Sequence, residues 1–332
     1  MRNLIATLFA FLALMVPALA QSEDPALTMG RERSEAFLAG NIEPIWAEMT
    51  PELQSALGSI EGFRTFRDQV ATDFGTEQSI DDEIIAAAGP GISTYNRIAT
   101  WTETPSPVLM QWFFTVDGKI ASFGVRPRPV LADSRFLDYE TKADLRLPFE
   151  GEWYVFWGGP TFEQNHHVVD RAQRFGLDLV IVRDGASHSG DASVLENYYC
   201  WDAPILAPAA GTVVSAVNDL PDLPIGQMDT DNLAGNHVVL DLGNSEYFFL
   251  AHMREGSVRV SLGDTVAQGD ELGRCGNSGN TSEPHLHIHM QTTTDLAAGE
   301  GLPTQFQNYL AGGTLVTRGE PLQGEVVSNK IN

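Results

Sequence analysis

Pro284-His285-Leu286-His287-Ile288-His289 is the stretch on which the reading of the fold turns. Imidazoles alternate with aliphatic residues, and the pattern predicts a strand. Successive side chains of a strand point to opposite faces, so positions 285, 287 and 289 share one face. Three imidazoles together are poor packing material, because each buried ring nitrogen needs a partner. Imidazole is also the commonest zinc ligand. An exposed polar face is the competing explanation for such a strand standing alone.

It does not stand alone. All eight histidines lie between His166 and His289, and the first half of the chain has none. Asn165-His166-His167, Arg174-Phe175-Gly176-Leu177-Asp178, Leu250-Ala251-His252 and Gly276-Asn277-Ser278-Gly279 leading into the His285 strand follow in that order. From Leu145 onward short apolar runs alternate with turns, as in Gly211-Thr212-Val213-Val214 and Tyr247-Phe248-Phe249-Leu250, which predicts an all-β region. Ala207-Pro208 with Gly211-x-Val213, and Gly263-Asp264-x-Val266 with Gly269-x-x-Leu272-Gly273, add turn-and-hairpin signals.

In these segments the chain resembles the lysostaphin-like (LytM-type) zinc endopeptidases, which cut peptide stems or bridges of peptidoglycan. The likeness extends over about residues 145–295. It implies a mainly antiparallel β metallopeptidase domain, set here at 145–325 with a tail at 326–332, and one zinc per chain. It also implies Asp178 and His287 as metal ligands, with His252 and His285 flanking an open coordination position in catalytic roles. The sequence departs from the common family pattern at the first ligand, where Arg174 occupies the usual histidine place four residues before the aspartate. An upstream Asn-x-His segment is the alternative source, with His167 favoured and His166 the competitor, since strand alternation lets only one of two neighbours face the metal. Zinc would acidify a bound water and polarise a peptide carbonyl. His289 is expected beside the ligands, and His188 and His237 as bystanders.

Ahead of that domain, Ala26 to Phe74 carries helical periodicity, with Thr50-Pro51-Glu52 as a helix start. After Gly89-Pro90-Gly91 the period changes to two, through residues 98–102 and 108–114 and the Asp117-Gly118 hairpin into 120–125. Helices before an antiparallel meander predict an α+β domain over residues 21–128, and hence an α+β chain overall. In pattern this region resembles the small cone-shaped domains of the nuclear-transport-factor-like superfamily, which implies a binding or spacer role. Arg126-Pro127-Arg128-Pro129 opens a connector over 129–144.

Composition sets the remaining limits. With 20 Lys+Arg against 44 Asp+Glu the net charge is −24, which excludes nucleic acid and anionic membranes as default partners. Residues 1–20 read as a secretory signal: Arg2, an apolar run and the Ala18-Leu19-Ala20 cleavage site. The expected product is exported, periplasmic or extracellular, with no membrane insertion after cleavage. Cys200 and Cys275 are the two cysteines, and in that compartment a disulfide is preferred over two zinc thiolates. Asp219, Asp222, Asp229 and Asp231 crowd one loop without the spacing of an EF-hand. The function expected is hydrolysis of peptidoglycan peptides. The alternatives are a non-catalytic wall-binding regulator of other hydrolases, or a zinc protease acting on Gly-rich exported proteins.

Overall fold

The computed structural model describes residues 24–330, so the expected signal segment lies outside the described residues. The first half runs α1 (Pro25–Leu38), α2 (Ile42–Glu48), α3 (Pro51–Leu57) and α4 (Ile60–Phe74), then β1 (Glu77–Ala87), β2 (Ile92–Trp101), β3 (Val108–Thr115) and β4 (Ile120–Pro127). Thr50 caps α3 by accepting the Leu53 N–H, with Pro51 in the first turn, a geometry in which proline's missing N–H costs nothing. The four strands form an antiparallel meander in sequence order. Its inner face buries Trp112, Tyr95 and Phe114 against Phe37, Ile45 and Phe63 of the helices. Trp112 stacks on Phe123 with ring centroids 3.8 Å apart. A Cβ at Gly30 would stand 2.0 Å from the Tyr95 ring, so α1 reaches β2 there only because that residue is glycine. Strand β1 was not legible in the pattern. It is an acidic edge strand whose first residues are mostly exposed, so no face imposes alternation on it.

The second half is built on strands: β5 (Trp153–Trp157), β6 (Leu177–Val180), β7 (Pro204–Leu206), β8 (Gly211–Val217) and β9 (Asn236–Asp241). β10 (Tyr247–Met253), β11 (Thr265–Val266), β12 (Glu271–Arg274) and β13 (Leu286–Gln291) follow. Last come β14 (Gly301–Leu302), β15 (Phe306–Ala311), β16 (Thr314–Gly319) and β17 (Val326–Asn329). All but β7 and β12, which pair with each other, join one sheet in the order β11-β8-β9-β10-β13-β6-β5-β17-β15-β16, with β14 on β13. Every pairing is antiparallel. The chain is therefore α+β, with helices first and antiparallel sheet after.

The strand expected at 284–289 is β13, which begins one residue after His285 and lies at the middle of this sheet, between β10 and β6. Its alternate residues Leu286, Ile288 and Met290 enter the core with Leu250, Leu179 and Trp153, leaving 287 and 289 on the opposite face. Two segments expected outside the domain belong to it structurally. Residues 326–329 form β17, which seats Val327 in the core. The connector lies along the sheet domain: Arg135 pairs with Glu300, Thr141 donates to the Pro303 carbonyl, and Glu246 accepts the Lys142 and Ala143 N–H groups.

Candidate metal centre

Register brings the residues together. In the β13–β6 ladder His287 lies opposite Asp178, and in the β13–β10 ladder it lies opposite Ala251, one residue before His252. The β10–β9 pairing slips between Leu250 and Met253. Within that slip His252 takes φ 60°, a left-handed conformation that costs a residue with a Cβ about 1 kcal/mol or more. The bulge turns the His252 ring into the cleft.

Asn165-His166-His167 is not a strand. Residues 166–169 form a 3₁₀ turn, whose neighbours diverge by roughly a third of a turn and not by a half. Both imidazoles therefore approach the site, with centroids 3.9 Å apart, and the alternation rule does not separate them. Their surroundings do. His166 is exposed and lies against the Trp157 ring, whereas His167 is buried. Asn165 donates through its amide nitrogen to the Gly176 and Gly159 carbonyls, which fixes its oxygen toward His167 Nδ1 at 2.9 Å. With Nδ1–H donated there, His167 Nε2 is the free lone pair, 3.6 Å from Asp178 Oδ2. Gly176 lies beside the pair; its absent Cβ would stand 3.3 Å from both the His167 and His287 rings.

The other rings are pinned in the same way. His285 directs Nδ1 at the Glu283 carbonyl, 2.8 Å away, and Nε2 toward Asp178 at 3.6 Å. His252 directs Nδ1 at the Ser278 carbonyl at 2.9 Å. A carbonyl only accepts, so both rings carry Nδ1–H and expose Nε2. His287 Nδ1 stands 2.8 Å from Asp178 Oδ1, and its Nε2 stands 2.9 Å from His289 Nδ1. Burial, with neighbouring imidazoles adding to it, pushes the basicity of His167 and His252 well down, which keeps their ring lone pairs available at neutral pH. Burial alone would raise Asp178. The electrostatic pull of His167 and His285 and the His287 hydrogen bond outweigh it and hold the carboxyl well below its usual range.

One carboxylate and several neutral imidazoles make a donor set suited to a borderline divalent cation such as zinc. Ligand atoms of His166, His167 and Asp178 lie within 4.8 Å of one another. His167, Asp178, His252, His285, His287 and His289 all line one cleft of about 420 Å³. Arg174 has a different task, donating to the Ala132 and Val168 carbonyls. It ties the connector to the turn that carries His167.

Other sequence features fall outside the cleft. His237 bonds Ser215 and the Gly235 carbonyl, and His188 lies against Tyr198. Against the expected disulfide, Cys200 and Cys275 are free, buried thiols. Cys200 donates to the Pro284 carbonyl, and burial together with the Cys200 contact holds the Cys275 thiol protonated. Asp222 accepts the Asn277 and Glu255 N–H groups, and Asp229 those of Asp231 and Asn232. The acidic loop is thus a set of turn caps. Asn165, Ser278 and the Glu283 carbonyl orient the rings; of these only the Asn165 amide had a sequence signal, in the Asn-x-His spacing.

Comparison with known proteins gives the class first. The model for Peptidase family M23 matches residues 199–298. Over that segment, 100 of the 332 residues, the chain is similar to the M23 peptidases. The matched segment includes His252, His285 and His287 and begins after His167 and Asp178. Among individual proteins, Endolysin 2638A of Staphylococcus phage 2638A is 34% identical over 79 residues, a stretch covering 22% of this chain and 16% of that protein. Among solved structures, the lysostaphin catalytic domain from Staphylococcus simulans is 17% identical, with 46% of this chain and 88% of that one covered at a TM-score of 0.28. The M23 metalloprotease pseudoalterin is 13% identical, with 55% and 99% covered at a TM-score of 0.33.

Proposed function

We propose that the protein is an exported zinc-dependent endopeptidase that hydrolyses amide bonds in peptidoglycan peptide stems or cross-links. The observation that carries this reading is the convergence, in one cleft, of His167, Asp178 and His287 with two further rings whose Nε2 atoms are free. His167 Nε2, an Asp178 oxygen and His287 Nδ1 would hold one zinc. Zinc at such a site supplies a Lewis acid and an acidified water. His285, with Nδ1–H anchored on the Glu283 carbonyl, presents Nε2 as the group that orients and accepts a proton from the attacking water. His252, anchored on Ser278, is placed to stabilise the oxyanion or return a proton to the leaving amine. No helix among the described residues is long and apolar enough to cross a membrane.

Purified sacculi and oligoglycine peptides digested side by side test both activity and substrate. The expected result is soluble muropeptides carrying new amino termini, with one zinc per chain. Faster cleavage of oligoglycine would favour exported Gly-rich proteins as substrate. Stoichiometric binding to sacculi without turnover would instead support the regulator.

The two neighbouring histidines separate by substitution. His167→Ala is expected to weaken zinc binding at least about 100-fold, beyond the 10–100-fold typical of losing an orienting partner. His166→Ala should leave the zinc dissociation constant within about threefold, a change below 1 kcal/mol. Chelator competition reads both, and the reverse ranking would assign the ligand to His166.

A further inference from the structure

Behind the histidine-bearing turn lies a second cavity, of about 470 Å³, which shares no lining residue with the metal cleft. The two lie on opposite sides of one stretch of chain. His167, Gln173 and Asp178 line the cleft, and their neighbours Val168, Arg174 and Leu177 line the cavity. Strand alternation separates the last pair, since Leu177 and Asp178 are successive residues of β6. The connector contributes Leu137, and the segment after β16 contributes Glu320 and Leu322. Leu137 and Leu322 are 58% and 39% exposed, so the cavity opens through an apolar rim. Its volume falls within the usual range of small-molecule sites, about 300–1,000 Å³.

Two groups of opposite charge line these apolar walls, and neither is ion-paired. Arg174 is 9% exposed and donates through Nη1 to the Ala132 and Val168 carbonyls. Among the described residues its Nε and Nη2 groups have no partner, and no carboxylate lies within ion-pairing distance of it. Glu320 accepts the Thr304 N–H through Oε1 at 3.1 Å. The Thr304 hydroxyl lies 3.5 Å from the Phe175 carbonyl oxygen, which sets the carboxyl beside the wall that carries Arg174. No cation among the described residues pairs with Glu320, and burial pushes its carboxyl up to about 7. A guanidinium and a carboxyl held apart across an apolar cavity suit a ligand that brings the opposite charge to each.

We propose that this cavity binds a small zwitterion with an apolar side chain, a free amino acid or short peptide whose carboxylate meets Arg174 and whose ammonium meets Glu320. The apolar body rests on Val168, Phe175 and Leu177 and is withdrawn from water there. The inference goes beyond the zinc reading and does not need it, because it concerns binding at a separate site and not hydrolysis.

Titration calorimetry of the full-length protein with leucine and with leucylleucine, which hold their two charges at different separations, tests the site. At least one of them should bind saturably, one to one. The N-acetyl and carboxamide forms of that ligand each lack one charge. Each should bind at least about tenfold more weakly, the loss expected for one hydrogen bond to a charged group. Glu320→Gln keeps the size of the side chain and an acceptor for the Thr304 N–H. It should lower the affinity for the zwitterion to that of the N-acetyl form and leave the N-acetyl form itself unchanged. No saturable binding of either probe would overturn the proposal, and so would equal binding of the charged and blocked forms. Unaltered affinity in folded Glu320→Gln, the result that binding in the metal cleft would give, would overturn it too. Binding is read without turnover, so failure of the zinc reading is a separate result.

Discussion

Asp178→Asn is expected to release the zinc and lower the rate of sacculus hydrolysis by at least about 10³-fold, equivalent to about 4 kcal/mol of transition-state stabilisation. Asn is nearly the same size and still accepts hydrogen bonds, so packing survives, but the negative charge facing His167, His285 and His287 is gone. His287→Ala reaches the same catalytic result by a harsher route. It strips one partner from a buried carboxylate, and breaking a buried pair in this way costs about 3–5 kcal/mol of stability. The informative comparison is zinc content against melting temperature for the two variants. Asp178→Asn should lose metal with a modest change in stability, and His287→Ala should lose both. Full zinc occupancy and full rate in Asp178→Asn would remove the carboxylate from the site chemistry.

The second large effect separates catalysis from metal binding. His285→Ala should keep about one zinc per chain and still lose about 10²–10⁴ in kcat, the usual range for an acid–base group. Only its Nε2 faces the cleft, and its Nδ1 is anchored on a carbonyl, so deleting the ring removes a proton acceptor without removing a proposed ligand. His252 calls for a different substitution because its backbone has φ 60°. Asn tolerates that conformation better than Ala does, so His252→Asn tests the ring without adding backbone strain. Zinc lost in step with activity in His285→Ala would move that residue into the ligand set. Undiminished turnover would deny it a role.

The candidate site is partly legible in the sequence, because period-two alternation marks the strand that carries His287 and His289. Alternation along residues 284–289 predicted a strand that in the structure runs over Leu286–Gln291 and leaves His285 in the turn before it, and the structure adds the register that sets His287 opposite Asp178. Two things were not readable, for physical reasons. The turn at His166–Val169 is too short for any period to declare itself, and strand alternation does not hold in a 3₁₀ segment. The bulge that aims His252 inward depends on a slip against β9, which is a property of the partner strand as much as of β10. In the first half, the helices and the 108–125 hairpin were legible from spacing and caps, whereas β1, acidic and exposed, left no pattern to read.

Arg174 bears on how such a domain can be exchanged between proteins. Its guanidinium joins Ala132 of the connector to Val168 of the histidine-bearing turn, and the Ala132 N–H closes the loop on the same Val168 carbonyl. A recombination point placed at residue 145, where the strands begin, would sever that brace and deliver a domain whose first proposed ligand has lost a support. A segment that reads as a tether between modules is thus braced onto the sheet domain beside the histidine-bearing turn.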